Sequence, residues 1–277
     1  MIEFHNVTRT YARKVAVDGL TLTVRAGELF ALLGPNGAGK TTTIKLLTGL
    51  LQPTAGQVRV CGHDLAGDVR QATRAIGYVP DEPFLYEKLS GREFLEFAAE
   101  MRGLDRPAVA RAIERECRNF ALKDFLDDLT ETYSHGTKQR LVFAAALLHD
   151  PPAVVVDEPM VGLDPLGVRV VKDRLRTVAS TGSAVFMSTH TLAIAEELAD
   201  RIGIMNQGRL HFLGTKSELQ RHLASRETSL ESLFLEMTEG TDGYGKTGEE
   251  DGAPRHGGNH QASTHRQEAL PLPPSPS

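Results

Sequence analysis

The chain has only two cysteines in 277 residues, Cys61 and Cys117, and their spacing suits neither a metal clamp nor a redox pair. It has no disulfide framework, and a reducing, cytosolic setting fits. Positive charge is not in excess either. The 31 Lys and Arg stand against 36 Asp and Glu, a formal net charge of -5, so the global basic footprint of a nucleic-acid binder is missing and no nucleic-acid partner is expected. No apolar run approaches the roughly 20 residues that cross a bilayer, and the stretch Leu141 to Leu148 is far too short. The start, Met1-Ile2-Glu3-Phe4-His5-Asn6, lacks the basic-then-apolar order of a signal peptide. No internal repeat is visible. What remains is a globular composition, 40% hydrophobic and 24% charged, long enough for one large domain or two small ones. Such a chain is not expected to cross a membrane by itself, although it can dock on something that does.

The most informative stretch is Gly34-Pro35-Asn36-Gly37-Ala38-Gly39-Lys40-Thr41. The apolar run Leu29 to Leu33 before it reads as a buried strand, and Thr42-Thr43-Ile44-Lys45-Leu46-Leu47 after it has helical period. Strand, glycine-rich loop and helix form the context in which G-x-x-x-x-G-K-[ST] is a phosphate-binding loop. Its backbone N–H groups can curl around a polyphosphate, and the helix N-terminus adds roughly half a positive charge. Lys40 would bridge the outer phosphates, and the Thr41 hydroxyl would hold Mg²⁺. This identifies a nucleoside triphosphate but not the use of its energy.

Around the loop the pattern alternates. Ile2-Glu3-Phe4 and Leu20 to Val24 read as strands, with Thr10-Tyr11-Ala12-Arg13 as a loop between them and Gln57 to Val60 as a further short strand. Ile76-Gly77-Tyr78-Val79 ends at Pro80-Asp81-Glu82-Pro83. Ser90 and Glu93 then fit a capping box, which opens a helical stretch running to about Leu129 with breaks near Gly103 and Pro107. A mostly helical insertion is thus expected to separate the phosphate loop from the next parallel strand, Ala153 to Asp157. Alternating helices and strands follow: Pro165 to Ala179, Ser183 to Met187, Leu192 to Asp200, Ile202 to Met205 and Arg209 to Phe212. Beyond about Gly240 the chain turns to Gly, Pro, Ser and charge and reads as a disordered tail. Its His256, His260 and His265 are weak metal candidates.

Two further motifs carry chemistry. Asp157 and Glu158 close an apolar strand at the end where ligands gather in open α/β sheets. Asp157 is placed to orient Mg²⁺, and Glu158 to polarise a water for in-line attack on the terminal phosphorus. His190, at the end of the following strand, could sense that phosphate through a ring N–H. Tyr133-Ser134-His135-Gly136-Thr137-Lys138-Gln139-Arg140 offers a hydroxyl, a glycine and a helix start. It reads equally as a second anion cradle, completed by another subunit, or as a plain helix cap by Ser134.

Taken in order, these motifs resemble the ATP-binding subunits of ATP-binding-cassette (ABC) transporters, from Ile2 to about Met237. GPNGAGKT looks like the family's Walker A and VVVDEP like its Walker B. YSHGTKQR looks like the signature, GLDP like the D-loop and STH like the switch histidine. The resemblance implies a P-loop α/β fold: a RecA-like core, an antiparallel β subdomain and a helical signature subdomain at about 83–150, within a cassette spanning 1–238 and followed by a tail at 239–277. It implies ATP contacts from Tyr11, Gly34, Pro35, Asn36, Gly37, Ala38, Gly39, Lys40, Thr41 and Thr42, and from Ser134, Gly136 and Asp164 across a dimer of two such subunits. Lys40, Glu158 and His190 would be catalytic, with Mg²⁺ at Thr41, Asp81 and Asp157. Two departures stand out. Tyr133, His135 and Thr137 replace the first, third and fifth residues of Leu-Ser-Gly-Gly-Gln, and Asp81 stands where the family has glutamine.

The resemblance further implies ATP hydrolysis that drives a separate membrane-spanning permease, docked near Asp81 to Leu89 with Phe84, Leu85 and Tyr86 facing it. The subunit would sit on the cytoplasmic face of the cell membrane. Asp81 and the YSHGTKQR form resemble the export branch. The main alternative is a soluble ABC ATPase working on ribosomes or DNA, but the second cassette or long coiled-coil insertion of such proteins is not seen. A GTPase would need an Asn-Lys-x-Asp guanine reader, which is also missing. A binding-only regulator would not need Lys40, Asp157, Glu158 and His190 together.

Overall fold

A computed structural model describes residues 1–224, and the residues 225–277 that hold the tail and its histidines lie outside the described part. The chain begins with strands β1 (Ile2–Tyr11), β2 (Lys14–Val24) and β3 (Leu29–Leu33), followed by helix α1 (Lys40–Leu47). Next come β4 (Ala55–Val60), β5 (His63–Asp64), α2 (Val69–Arg74) and β6 (Ile76–Val79). Three helices follow: α3 (Gly91–Met101), α4 (Arg106–Asn119) and α5 (His135–Leu147). The last part runs β7 (Ala153–Asp157), α6 (Pro165–Ser180), β8 (Ala184–Thr189), α7 (Leu192–Leu198), β9 (Arg201–Asn206), β10 (Arg209–Thr215) and α8 (Lys216–Ala224).

The strands form two sheets. One has four strands in the order β2-β1-β4-β5, all antiparallel, and the other has six in the order β10-β9-β3-β8-β7-β6. In the second, β9, β3, β8, β7 and β6 run parallel and β10 closes the edge antiparallel. Its inner strands β3, β7 and β8 are buried on both faces and therefore apolar at successive positions, not at alternate ones, up to the polar ends Asp157, Ser188 and Thr189. Period two then sorts the side chains between two cores. Leu29, Ala31, Leu33, Val154, Val156, Val185 and Met187 face the core that includes α3, α4, α5 and α6. Phe30, Leu32, Val155 and Phe186 face α1 and the antiparallel sheet. Phe186 joins the layers there, with its ring 5.4 Å from Phe30 and 6.1 Å from Phe4.

Several expectations change. The loop Thr10 to Arg13 shrinks to a tight turn at Ala12 and Arg13, because β2 starts at Lys14 and pairs with β1 up to Tyr11. The valines at 15 and 17 continue the alternation that sequence reading began only at Leu20, across irregular register steps that mask it. The first parallel strand after the phosphate loop is β6, a four-residue edge strand, so the helical insertion lies between β6 and β7. Pro107 begins a helix, in the first turn of α4 behind an Asp105 cap. That helix stops at Asn119, since Phe120 and Leu122 turn into the core around Ala121, whose φ is +51°. The capping box is present as expected: Glu93 N–H donates to Ser90 Oγ, and the Glu93 carboxylate accepts from Ser90 N–H. Of the three residues expected on a docking face, Leu85 is buried while Phe84 and Tyr86 are exposed.

One ion cluster ties the insertion to the sheet's own helices. Glu116 on α4 is fully buried, accepting from Arg115 Nε at 2.7 Å and from Arg174 Nη2 on α6 at 2.8 Å. Its removal would strand Arg174 in an apolar setting. Glu116→Ala should cost about 3–5 kcal/mol, read from urea unfolding, while joint replacement of Glu116 and Arg174 by Met should recover most of it.

Candidate active site

Strands β3, β8 and β7 lie side by side and end together. Leu33 is in register with Thr189, and Asp157 with Ser188, so the glycine-rich loop, the two acids and Thr189-His190 emerge on one edge of the sheet. The loop is wedged between β2 and β9. A Cβ on Gly39, whose φ is +111°, would lie 2.5 Å from the Ala16 carbonyl oxygen, so only glycine fits at this position ahead of α1. Gly34 N–H donates to Thr189 O, and the buried Ala38 gives its carbonyl to Gly208 N–H.

A cleft of about 300 Å³ opens over the loop, lined by Tyr11, Lys14, Ala16, Pro35, Asn36, Gly37, Gly39, Lys40, Thr41, Thr42, Asp81, Asp157 and Glu158. Most of the residues singled out from sequence meet here. Gly34 and Ala38 shape the loop from behind and do not line the cleft. His190 reaches it through Glu158. Ser134, Gly136 and Asp164 are not part of it. Lys14 and Ala16 escaped sequence reading because the start of β2 did.

Lys40 is buried and donates to the carbonyls of Gly34 at 2.7 Å and Pro35 at 3.2 Å, with Glu158 Oε1 3.6 Å away. Burial lowers its pKa, opposed by Glu158, Asp157 and Asp81. Asp157 accepts a short hydrogen bond from the Ser188 hydroxyl. Its pKa is raised, chiefly by burial and then by the charges of Asp81 and Glu158, against the lowering effect of the Ser188 bond. Asp81 is raised too, first by burial and then by Glu158 and Glu82, while His190 and His135 pull the other way. Burial, followed by Asp157 and Asp81, pushes Tyr78 on β6 up to about 12.

Glu158 has the unusual backbone. Its φ is +45°, a region that costs a non-glycine residue of order 1–3 kcal/mol. Its N–H is held there by the carbonyl and hydroxyl of Ser188, at 3.2 and 3.3 Å. The side chain then spans two basic residues: Oε1 faces Lys40, and Oε2 lies 3.0 Å from His190 Nδ1 and also accepts from the His190 backbone N–H at 3.3 Å. Ser188 thus positions both acids. The trace it leaves in the sequence is a hydroxyl at the end of an otherwise apolar strand.

Ser134 is the N-cap of α5, accepting from Thr137 N–H at 3.2 Å, so the capping alternative is realised. Asp164 caps α6 in the same way through Gly167 N–H. Tyr11 ends β1 with the Arg9 guanidinium 4.8 Å from its ring centre. Among the described residues, no helix is long and apolar enough to cross a membrane.

Comparison with known proteins agrees with this geometry. Residues 17–161 match the family described as ABC transporter. The chain is 39% identical over 212 residues to the uncharacterized ABC transporter ATP-binding protein YhcH of Bacillus subtilis strain 168, covering 76% of this chain and 68% of that one. It is 36% identical over 219 residues to the linearmycin resistance ATP-binding protein LnrL of the same organism, covering 79% and 70%. A solved ATP-binding subunit of an ABC transporter superposes with a TM-score of 0.80 at 34% identity, covering 86% of this chain and 99% of its own. A glycine-rich loop and two acids at one sheet edge agree with this likeness, which leads to one conclusion: the chain belongs to the ABC transporter family, as an ATP-binding ATPase subunit.

Proposed function

We propose that this subunit powers an exporter, closing with a second nucleotide-binding subunit on two ATP molecules and passing that motion to a separate permease. The observation that carries the reading is Glu158, a carboxylate forced into a left-handed backbone and held between Lys40 and His190 at the rim of the phosphate-loop cleft. In this role Lys40 leaves the loop carbonyls for the β- and γ-phosphates, while the loop amides and Thr42 hold the rest of the polyphosphate. Tyr11 supplies a flat face for the base. Glu158 takes a proton from water as it attacks the terminal phosphorus, and His190 orients Glu158 and meets the γ-phosphate.

The donor set also fits Mg²⁺. A hydroxyl and carboxylates are hard oxygen ligands, and this ion is usually held by one or two carboxylates together with substrate phosphates, not by a full protein cage. Thr41 and Asp157 would hold it, with Asp81 close by, in a cleft where burial and then neighbouring acids raise the Asp81 and Asp157 pKa values. When bound, the ion neutralises charge on the phosphate oxygens.

The second-subunit reading is supported by what the cleft leaves out. Ser134, Gly136 and Asp164 stand apart from it, and the exposed Val161 and Leu166 flank Asp164 as apolar surface. Two such chains, or this chain and a paralogue, would each complete the other's site. Permease docking is supported by Phe84 and Tyr86, which form an edge-to-face pair at 5.7 Å, and by Phe97 at 5.6 Å from Tyr86, all three exposed. Membrane contact then comes only through the permease, on the cytoplasmic face. Export is favoured by the resistance function in the name of the LnrL relative.

Glu158→Gln should bind ATP as the parent does and lose turnover by about 10²–10⁴-fold in a phosphate-release assay. Wild-type-like release would remove Glu158 from the base role. Turnover per subunit of the isolated chain should rise with protein concentration, and constant turnover in a chain shown to stay monomeric would rule out a shared site. Phe84→Asp should reduce recovery of a co-purifying membrane protein while leaving ATP affinity of the subunit unchanged. Undiminished recovery would place the docking surface elsewhere.

A further inference from the structure

His135 does not line the cleft and enters the account above only through its electrostatic pull on Asp81, yet its surroundings are specific. It is the first residue of α5, and its side chain packs against Gly162, in the loop that leads to Asp164. A Cβ on Gly162 would come within 2.5 Å of His135 Nε2, so the ring would have to move, and the Gly162 φ of +72° favours glycine by itself. Beside it, a Cβ on Gly136 would stand 3.7 Å from both Gly162 O and Leu163 Cδ2. The start of α5 and the loop ahead of α6 are therefore in contact within one chain.

The same two helices are tied again away from the cleft. Glu116 holds Arg174 of α6, and its neighbour Arg115 donates to the carbonyls of Leu147 and Leu148 at the C-terminal end of α5, at 3.1 and 3.2 Å. Helices joined at two separated points cannot pivot on either one alone. The contact at the cleft end depends on a side chain that is exposed and so not required to fill the core.

We propose that His135 is a positioning residue: its ring, seated on Gly162, fixes the start of α5 against the loop carrying Asp164, so that Ser134, Gly136 and Asp164 meet a second subunit's nucleotide as one rigid edge. This rests on the shared-site reading. What acts is the shape of a flat ring, not its charge.

The test compares the full-length chain with His135→Ala, His135→Phe, Gly162→Ala and the double variant His135→Ala/Gly162→Ala. For each, kcat for ATP turnover, the Kd for ATP and the thermal unfolding midpoint are measured. His135→Ala should lower kcat by about tenfold or more, as a misplacement of about an ångström does, with the Kd for ATP unchanged. His135→Phe should keep most of the parent kcat. Gly162→Ala should be at least as poor as His135→Ala, because its new methyl meets the ring. The double variant should exceed Gly162→Ala, because the ring is gone. The proposal is overturned if the Phe variant is as poor as the Ala variant, or if the double variant is no better than Gly162→Ala. Should Gly162→Ala fail to fold, the exposed position 135 still decides through its Ala and Phe variants. The concentration dependence of wild-type turnover separately reports whether the shared-site reading itself has failed.

Discussion

The nucleotide end of this molecule depends on one crowding of charge. Asp81, Asp157 and Glu158 share a small cleft in which Lys40 is the buried cation, and burial disfavours the ionised form of Lys40, Asp157 and Asp81 alike. The acids oppose one another's ionisation, and Lys40 is the group that favours a charged Asp157, as the acids favour a charged Lys40. The protein supports the arrangement with fixed hydrogen bonds in place of mobile water: Ser188 on Asp157, the loop carbonyls on Lys40 and His190 on Glu158. The two acids are thereby held by the protein itself, and electrostatic catalysis draws its advantage from groups that need not reorganise during the reaction.

That setting is possible because the sheet carrying it is buried on both faces. A strand packed on two sides has little freedom to shift, and a slip of one residue would exchange its two sets of side chains between the cores. The loops leaving β3, β7 and β8 therefore start from fixed points. The insertion between β6 and β7 is attached differently, through helix packing and the Glu116 ion cluster. Its exposed aromatics Phe84 and Tyr86 and the start of α5 at Ser134 lie in this one insertion.

Most of the sheet was legible in the sequence because doubly buried strands leave uninterrupted apolar runs, and Leu29–Leu33 and Ala153–Asp157 have the limits read from the residues. The β1–β2 hairpin was less legible, because its irregular register breaks the alternation that reveals a half-buried strand. The end of α4 was hidden because Phe120 and Leu122 continue an apolar pattern after the backbone has left the helix. In the site, residues with distinctive chemistry announced themselves, and those that merely hold them did not. Ser188 and the His135–Gly162 contact depend on register and on a crossing of loops, neither of which is encoded in local spacing.

The cap at Ser134 leaves room for the second role proposed for it. A hydroxyl has lone pairs and a proton, and these serve different partners. Ser134 uses a lone pair for Thr137 N–H, and its contact with the Thr137 hydroxyl, at 2.9 Å, is one that a turn about the C–O bond can release. The proton can then point outward to an anion while the helix stays capped. Under the proposed shared site, an anion at this position would ask for no movement of the backbone and no exchange of the existing bond, only the rotation of a single hydrogen.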